Sequence, residues 1–343
     1  MTRDETLQLK GIAILLMLAL HLFSDLDTVR TECDWLIPFW NGKPLVYAFS
    51  RVAACCVPIY LFLGGYGLSR TYEASPQMHN VRRVLSLYVN FWIIFLLFIP
   101  MACVIRPEDY PEDIPTLLLS TIAWTSTYNG AWWFLLPYAL LTLLSAPFMR
   151  FVHRRSLSAN LWLLFLAFVI YVGIYLLRTR LEGLPGLGID SLRTLTALFI
   201  LLPAFYAGAI FAHFHLLEQL RQRMALSPSP RVVGVVLILV FILLKMTMGS
   251  SSLPNALFAV IYISLYVCLK RSARFDAVCR YFGRHSTNIW LVHAFFYAHL
   301  FHTFIYSPRY PLLIFLLLLA VSLACSYVVG WIFEPLRRRI RGK

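Results

Sequence analysis

Residues 10–25, KGIAILLMLALHLFSD, form an apolar run that opens with a cation, holds a histidine near its far end and closes on an aspartate. A helix that faces lipid has no ordinary reason to carry an imidazole, because ionisable groups are costly in hydrocarbon. Along a helix, Lys10 and His21 would be about 16 Å apart. We therefore predict a short membrane helix near residues 8–26 that carries the chemistry of the protein.

The composition of the whole chain is that of a membrane protein. Of its 343 residues, 60% are hydrophobic and 13% are charged, whereas soluble domains carry about 25% charged residues. The formal net charge of +14 would raise nucleic acid as a partner of a soluble protein. In a membrane protein, basic residues in short loops set the orientation instead. We expect the lipid bilayer as a partner and no nucleic acid, and the oligomeric state stays open.

The apolar segments predict the fold class. A helix needs about 20 apolar residues to cross the hydrocarbon. About ten segments qualify, at residues 8–26, 45–68, 84–105, 131–149, 159–177, 194–213, 231–248, 253–270, 286–306 and 311–333. Apolar residues 114–128 fit a re-entrant or interfacial helix. We predict an all-α, polytopic transmembrane bundle forming one domain over residues 1–343, with no fused extracytoplasmic domain.

The loop charges predict the orientation of the bundle. Arginines such as Arg82 and Arg83 occupy every second connection, and the loops between them are acidic or neutral, with acids such as Asp27 in the first and Asp109 in the third. Because loops rich in Lys and Arg stay on the cytoplasmic side, both termini are predicted to be cytoplasmic. The seven cysteines lack the spacing of a metal site or a disulfide framework, so we expect no metal.

Two of the histidines inside predicted spans are candidate site residues. Four residues after His21 comes Asp25, so the two share a face of the predicted helix, where a carboxylate can orient an imidazole. The alternative is that His21 only bonds a neighbouring helix. The second is His293, within HSTNIWLVHAFFY (residues 285–297), and its alternative is a satisfied core histidine.

Two further segments carry residues that suit a ligand. PIYLFLGGYGLSR (residues 58–70) places Gly64 and Gly65 in a span, where glycines allow either close helix packing or the approach of backbone to a ligand. Arg70 closes this segment, either as a phosphate-binding residue or as a membrane anchor. The pair Trp132-Trp133 begins a span on the outer side, where an aromatic interface belt is the alternative.

Five segments together resemble a known family. In order, they are LKGIAILLMLALH (residues 9–21), PIYLFLGGYGLSR (58–70), Trp132-Trp133, GRHSTNIWLVH (283–293) and FEPLRRR (333–339). They resemble the integral-membrane acyltransferase-3 family over nearly the whole chain. Gly64 stands where that family often has serine, so any role of the hydroxyl is absent, and Lys10 replaces the commoner arginine.

The resemblance implies an acyltransferase for groups other than aminoacyl. We expect an O-acetyltransferase of the bacterial inner membrane, with cytoplasmic acetyl-CoA as the co-substrate and a glycan or lipid-linked sugar as the acceptor. His21 would act as the base or carry the acyl group, Asp25 would orient it, and His293 would assist proton transfer or line the donor tunnel. The expected donor-binding residues are Lys10, Gly64, Gly65, Tyr66 and Arg70, and the expected acceptor-binding residues are Trp132 and Trp133.

Two other classes of function stay open. A transporter or flippase of lipid-linked saccharides would show discontinuous helices and an internal repeat, and the sequence contains no repeat of fixed period. A non-enzymatic membrane scaffold would tolerate replacement of His21 and His293. Binding of acetyl-CoA separates the enzyme from both.

Overall fold

The computed structural model describes residues 1–110, 113–180, 187–226, 229–248 and 254–341. These residues form sixteen α-helices and no strand, and a single antiparallel bridge joins Pro38 to Pro44. The predicted all-α class is therefore confirmed for the described part of the chain. Residue 253, at the start of the eighth predicted span, lies outside it.

The α-helices are numbered in chain order. They are α1 Arg3–Phe23, α2 Leu26–Glu32, α3 Leu45–Ala53, α4 Cys56–Ala74, α5 Asn80–Ile105, α6 Ile114–Thr121, α7 Leu135–Leu143, α8 Ser145–His153, α9 Leu157–Arg180, α10 Leu187–His213, α11 Leu216–Ala225, α12 Pro230–Thr247, α13 Asn255–Cys268, α14 Ala273–Ala294, α15 His302–Tyr306 and α16 Pro311–Arg341. A 3-10 turn, Gly130–Phe134, precedes α7, and a π-helical turn, Phe295–His299, follows α14.

In the described part of the chain, six helical segments are long and apolar enough to cross a membrane, or seven if the pair α7 and α8, bent by 58°, is one span. The six correspond to the predicted spans that begin at residues 8, 45, 84, 159, 194 and 311. The other four predicted spans contain helices that are bent, short or broken. For example, α13 has 14 residues, and residues 286–306 are interrupted by the π-helical turn. A count of ten and the cytoplasmic location of the termini stay predictions.

Helix α1 begins with a capping box. The Thr2 hydroxyl accepts a hydrogen bond from the Glu5 backbone N–H at 3.1 Å, and the Glu5 carboxylate accepts one from the Thr2 N–H at 2.7 Å. These bonds satisfy two donors that a helix start leaves unpaired. The helix ends at Phe23, where Ser24 caps it and Asp25 turns to an extended conformation.

Contacts divide the chain into two compact units. The first unit comprises Met1–Arg70, Ala204–Ser286 and Tyr306–Leu319. In this unit α1 packs against α3 and against the 279–283 part of α14, and α4 packs against the 205–209 part of α10. Glycines make the contact of α1 with α14 and the contact of α4 with α10, and they let the helix backbones touch.

The second unit comprises Thr71–Pro203, Thr287–Ile305 and Ala320–Lys343. Its core includes an aromatic cluster around Trp132, whose ring lies 4.8 Å from Phe91, 5.9 Å from Phe95 and 5.5 Å from Phe295, measured between centroids. Edge-to-face and offset arrangements of this kind add stability beyond the apolar area they bury. The cluster joins α5, the 130–134 turn and the π-helical turn.

Candidate active site

Helix α1 carries Lys10 and His21 on one face. The helix is unbroken from Arg3 to Phe23. At 3.6 residues per turn, positions 10 and 21 are separated by about three full turns, so their side chains project in nearly the same direction. Both side chains are half-buried, whereas most residues between them are buried. The spacing therefore lines up an ammonium group and an imidazole along one side of one helix.

Polar contacts hold the first turns of α1 in place. The Glu5 carboxylate pairs with Arg221 of α11, and the Gln8 side chain accepts a hydrogen bond from the Tyr266 hydroxyl at 3.0 Å. Further along, the Tyr60 hydroxyl of α4 donates to the Lys10 carbonyl at 3.1 Å. These contacts fix the end of α1 that carries Lys10.

The end of α1 that carries His21 is held by two hydroxyl groups. Tyr306 donates a hydrogen bond to the carbonyl oxygen of Leu22 at 3.1 Å, and Ser50 donates one to that of Phe23 at 2.9 Å. The last carbonyls of a helix have no partner within it, so side chains commonly satisfy them. The backbone on the C-terminal side of His21 is therefore anchored to α3 and α15.

The helical argument that paired Asp25 with His21 is wrong. Because α1 ends at Phe23, Asp25 is not one turn further along the same helix. Its carboxylate instead caps α2 and accepts a hydrogen bond from the Thr28 N–H at 2.8 Å. Hydrogen bonding from Thr28 lowers the pKa of this exposed carboxyl, so Asp25 is ionised at neutral pH. The orienting role of Asp25 has therefore lost the geometric argument from which it was predicted.

The glycines of α4 have a packing role at Gly65. A Cβ built on Gly65 would lie 1.9 Å from the carbonyl oxygen of Phe205, and one on Gly208 would lie 2.1 Å from that of Phe62. Of the two interpretations of Gly65, the structure favours close helix packing. Gly64 is half-buried and Arg70 is exposed.

Tyr66, the next predicted donor-binding residue, is buried. Its hydroxyl donates to the Glu218 carboxylate at 3.2 Å and accepts from the Met1 amino group at 2.9 Å. The hydroxyl therefore belongs to a polar cluster that joins α4 to α11. A contact between Tyr66 and the donor stays a prediction.

His293 lies in the second unit and is fully buried. Its Nδ1 is 2.7 Å from the carbonyl oxygen of Trp290. Because a carbonyl only accepts, this contact requires a proton on Nδ1, which leaves the lone pair of the neutral ring on Nε2. The ring stacks on Tyr297 with 5.7 Å between centroids. The contact with Trp290 therefore selects the tautomer that carries its proton on Nδ1.

Two indoles cross-link α14 to the 130–134 turn. Trp132 donates a hydrogen bond to the carbonyl oxygen of Leu291 at 3.0 Å, and Trp290 donates one to that of Ala131 at 2.9 Å. Trp132 is 0% exposed, so the interpretation of this residue as an acceptor-binding surface needs correction. Its ring is a core element that positions the segment containing His293.

Trp133 has the opposite environment. Its side chain is 36% exposed and lines a cavity of about 280 Å³ together with Arg178 and Arg193. The two tryptophans, which the sequence presented as one motif, therefore have different roles. The 3-10 turn accounts for this, because consecutive residues of a helical turn point in different directions.

Sequence reasoning missed three charged residues that the structure places in polar or buried positions. Arg178 lies near the end of α9 and Arg193 near the start of α10, and both line the cavity. Neither of them was identified from the sequence as a candidate site residue. Lys245 of α12 is only 2% exposed, and its ammonium lies 5.2 Å from the centroid of Phe258. Lys245 could have been identified from the sequence, because a lysine inside an apolar run is unusual in a membrane helix.

Comparison with known proteins agrees with the motifs. Residues 8–331 match the acyltransferase-3 family model, which is described as an acyltransferase domain. No curated protein and no solved structure matches the chain. The resemblance inferred from the five sequence segments is therefore confirmed.

Proposed function

The chain belongs to the acyltransferase-3 family, and from this membership we propose that it transfers an acetyl group from cytoplasmic acetyl-CoA to a hydroxyl of a cell-envelope glycan or lipid-linked sugar. The family match is the observation that supports acyltransferase activity. Helices long and apolar enough to cross a membrane identify a multi-pass membrane protein, for which we propose the bacterial inner membrane. The face of α1 that bears Lys10 and His21 is the proposed centre of the reaction.

His21 acts in this proposal as the general base. The imidazole takes the proton of the acceptor hydroxyl while the hydroxyl oxygen attacks the thioester carbonyl carbon. The resulting tetrahedral intermediate collapses with cleavage of the C–S bond, and the imidazolium returns its proton to the CoA thiolate. In the alternative route, the imidazole itself attacks the thioester and carries the acetyl group before the hydroxyl accepts it.

Lys10 and Arg70 bind the donor in the same proposal. An ammonium and a guanidinium suit the phosphates of CoA, and the guanidinium can form two parallel hydrogen bonds. On the predicted topology, Lys10 lies toward the cytoplasm and His21 beyond the midplane, so the thioester arm extends along α1. The fixed register of α1 supports this assignment, because the helix is held near both residues by Tyr60, Ser50 and Tyr306.

Transfer can be measured directly. The purified protein is reconstituted in proteoliposomes with acetyl-CoA labelled in the acetyl group and a lipid-linked glycan extract. The label should appear in the glycan, with release of one free CoA thiol for each acetyl group transferred. If glycan crossed the bilayer without consuming acetyl-CoA, the flippase interpretation would replace the proposal.

Asp25 provides a second test, because its two possible roles respond differently to asparagine. Asn caps a helix about as well as Asp, whereas Ala does not. We expect Asp25→Asn to retain transfer and stability, and Asp25→Ala to lose about 1 kcal/mol of stability with little change in rate. Thermal unfolding in detergent and the transfer assay measure the two effects. Loss of transfer in a well-folded Asp25→Asn protein would restore the orienting role of the carboxylate.

A further inference from the structure

The cavity beside Trp133 has the chemistry of a sugar site. It lies within the second unit, and its volume of about 280 Å³ is close to the lower end for small-molecule pockets, about 300 Å³. Its lining includes Trp124, Thr125, Trp133, Arg178, Arg193 and Thr194. Two indoles, two guanidinium groups and several hydroxyls thus surround a space suited to one small polar ligand.

Hydrogen bonds hold the wall of the cavity in place before any ligand enters. The Trp124 indole donates to the Ser191 hydroxyl at 3.0 Å, and the Thr194 hydroxyl donates to the Trp124 carbonyl at 2.8 Å. The Thr125 hydroxyl lies 3.0 Å from that of Ser120. The 123–127 loop is therefore tied to α6 and α10, and a ligand would not have to order it.

The charge of the described part of the lining is positive. Arg178 and Arg193 are half-buried, and no Asp or Glu is among the described residues that line the cavity. Arg178 and Arg193 each also take part in a further interaction within the protein. In a partly desolvated site, a guanidinium attracts an anion more strongly than it does in water. Indole faces complement the apolar face of a sugar ring.

We propose that this cavity binds the acceptor, and that the acceptor is a sugar bearing an anionic group, either a carboxylate or a phosphate. Arg178 and Arg193 would hold the anionic group, and Trp133 would pack against the ring. The predicted orientation supports this assignment, because it places the end of α9 and the 123–127 loop on the outer side, where envelope glycans are expected. The acceptor role rests on the proposed acyl transfer, whereas binding in the cavity can be measured without it.

Binding to the full-length protein in nanodiscs tests the proposal with three probes: methyl glucuronide, glucose 1-phosphate and neutral methyl glucoside. Isothermal titration should show that at least one anionic probe binds at least about tenfold more tightly than the neutral probe. Arg178→Gln or Arg193→Gln should lower the affinity for that anionic probe by about 10- to 100-fold, the usual effect of removing a hydrogen bond to a charged group. The anionic probe that binds more tightly shows whether the anionic group of the acceptor is a carboxylate or a phosphate.

Arg180→Gln is the matched control, because Arg180 is an exposed arginine of the same helix and is not part of the lining. It should bind all probes as the wild type does. Trp133→Ala should lower the affinity for the neutral and anionic probes alike, and Trp133→Phe should retain much of the affinity that Trp133→Ala loses. Equal binding of the three probes, absence of binding, or wild-type binding by both arginine variants would overturn the proposal.

The transfer assay separates this inference from the proposed function. Acetylation of neutral and anionic acceptors at equal rates, unchanged in Arg193→Gln, would refute the anionic acceptor and leave the acetyltransferase intact. Selective binding of an anionic probe without any acetyl transfer would refute the acetyltransferase and leave an anionic-sugar site.

Discussion

Replacement of His21 by glutamine is expected to lower acetyl transfer by about 10²- to 10⁴-fold, the range that a positioned general acid–base group contributes. Glutamine keeps a polar side chain of similar length but cannot take up a proton at neutral pH. Its hydrogen-bonding capacity should preserve the contacts that His21 makes within the folded protein. The measurement is the initial rate of label transfer from acetyl-CoA to glycan, normalised to the amount of folded protein in the membrane.

A histidine outside the proposed site serves as the control. His302→Gln changes a half-buried histidine of α15 and should retain wild-type transfer. The two chemical routes differ in a rapid-quench experiment. The acyl-carrier route predicts an acetyl group on His21 during turnover, and the general-base route predicts none. Retention of transfer by a folded His21→Gln protein would refute both routes.

The second large effect concerns stability, at the contact between α1 and α14. A Cβ on Gly11 would lie 1.9 Å from the carbonyl oxygen of Cys279, and one on Gly283 would lie 1.9 Å from that of Leu7. Backbone oxygens cannot rotate away as side chains do, so the helices would have to separate. Insertion of a methyl group into a packed core costs about 1–3 kcal/mol and occasionally more. We expect Gly11→Ala and Gly283→Ala each to lie at the upper end of this range.

Both alanine variants should also lose transfer, because movement of α1 displaces Lys10 and His21. The expected readouts are a lower unfolding temperature in detergent and a reduced yield of monodisperse protein. The double variant should lose less stability than the sum of the single variants, since one separation of the helices relieves both clashes.

Gly67 offers a matched control for this experiment. It is also a helical glycine, but a Cβ placed there meets no atom within 4 Å among the described residues outside its own helical turn. Gly67→Ala should be neutral or should stabilise the protein by about 0.5–1 kcal/mol, because alanine is the better helix former. If Gly11→Ala unfolded at the same temperature as Gly67→Ala, the close contact of α1 with α14 would be contradicted.

Periodicity and composition were sufficient for the class of fold, because hydrocarbon leaves the backbone few options other than helices. They do not by themselves settle the number of spans. A window of apolar residues does not show where a helix bends, as it does between α7 and α8, or changes to a π-helical turn, as it does after Ala294. The described residues contain six clear candidate spans, and the count of ten stays a prediction.

The candidate site was predictable where it depended on spacing within one helix. Lys10 and His21 share a face of α1 because the interval between them is close to a whole number of turns. It was not predictable where it depended on the exact end of a helix. A difference of a few residues in the predicted end of α1 changed Asp25 from a neighbour of His21 on one face to the cap of α2.

The sequence alone determined that this protein is helical, crosses a membrane and belongs to an acyltransferase family, because these properties depend on composition, on local periodicity and on the order of motifs. Only the tertiary structure decided that Gly65 packs against α10 and that Trp132 is buried. Only the tertiary structure also placed Trp133 in the lining of a cavity together with two arginines. These outcomes depend on which distant segments come together. Contacts of that kind are absent from any local stretch of the chain and arise only when helices pack.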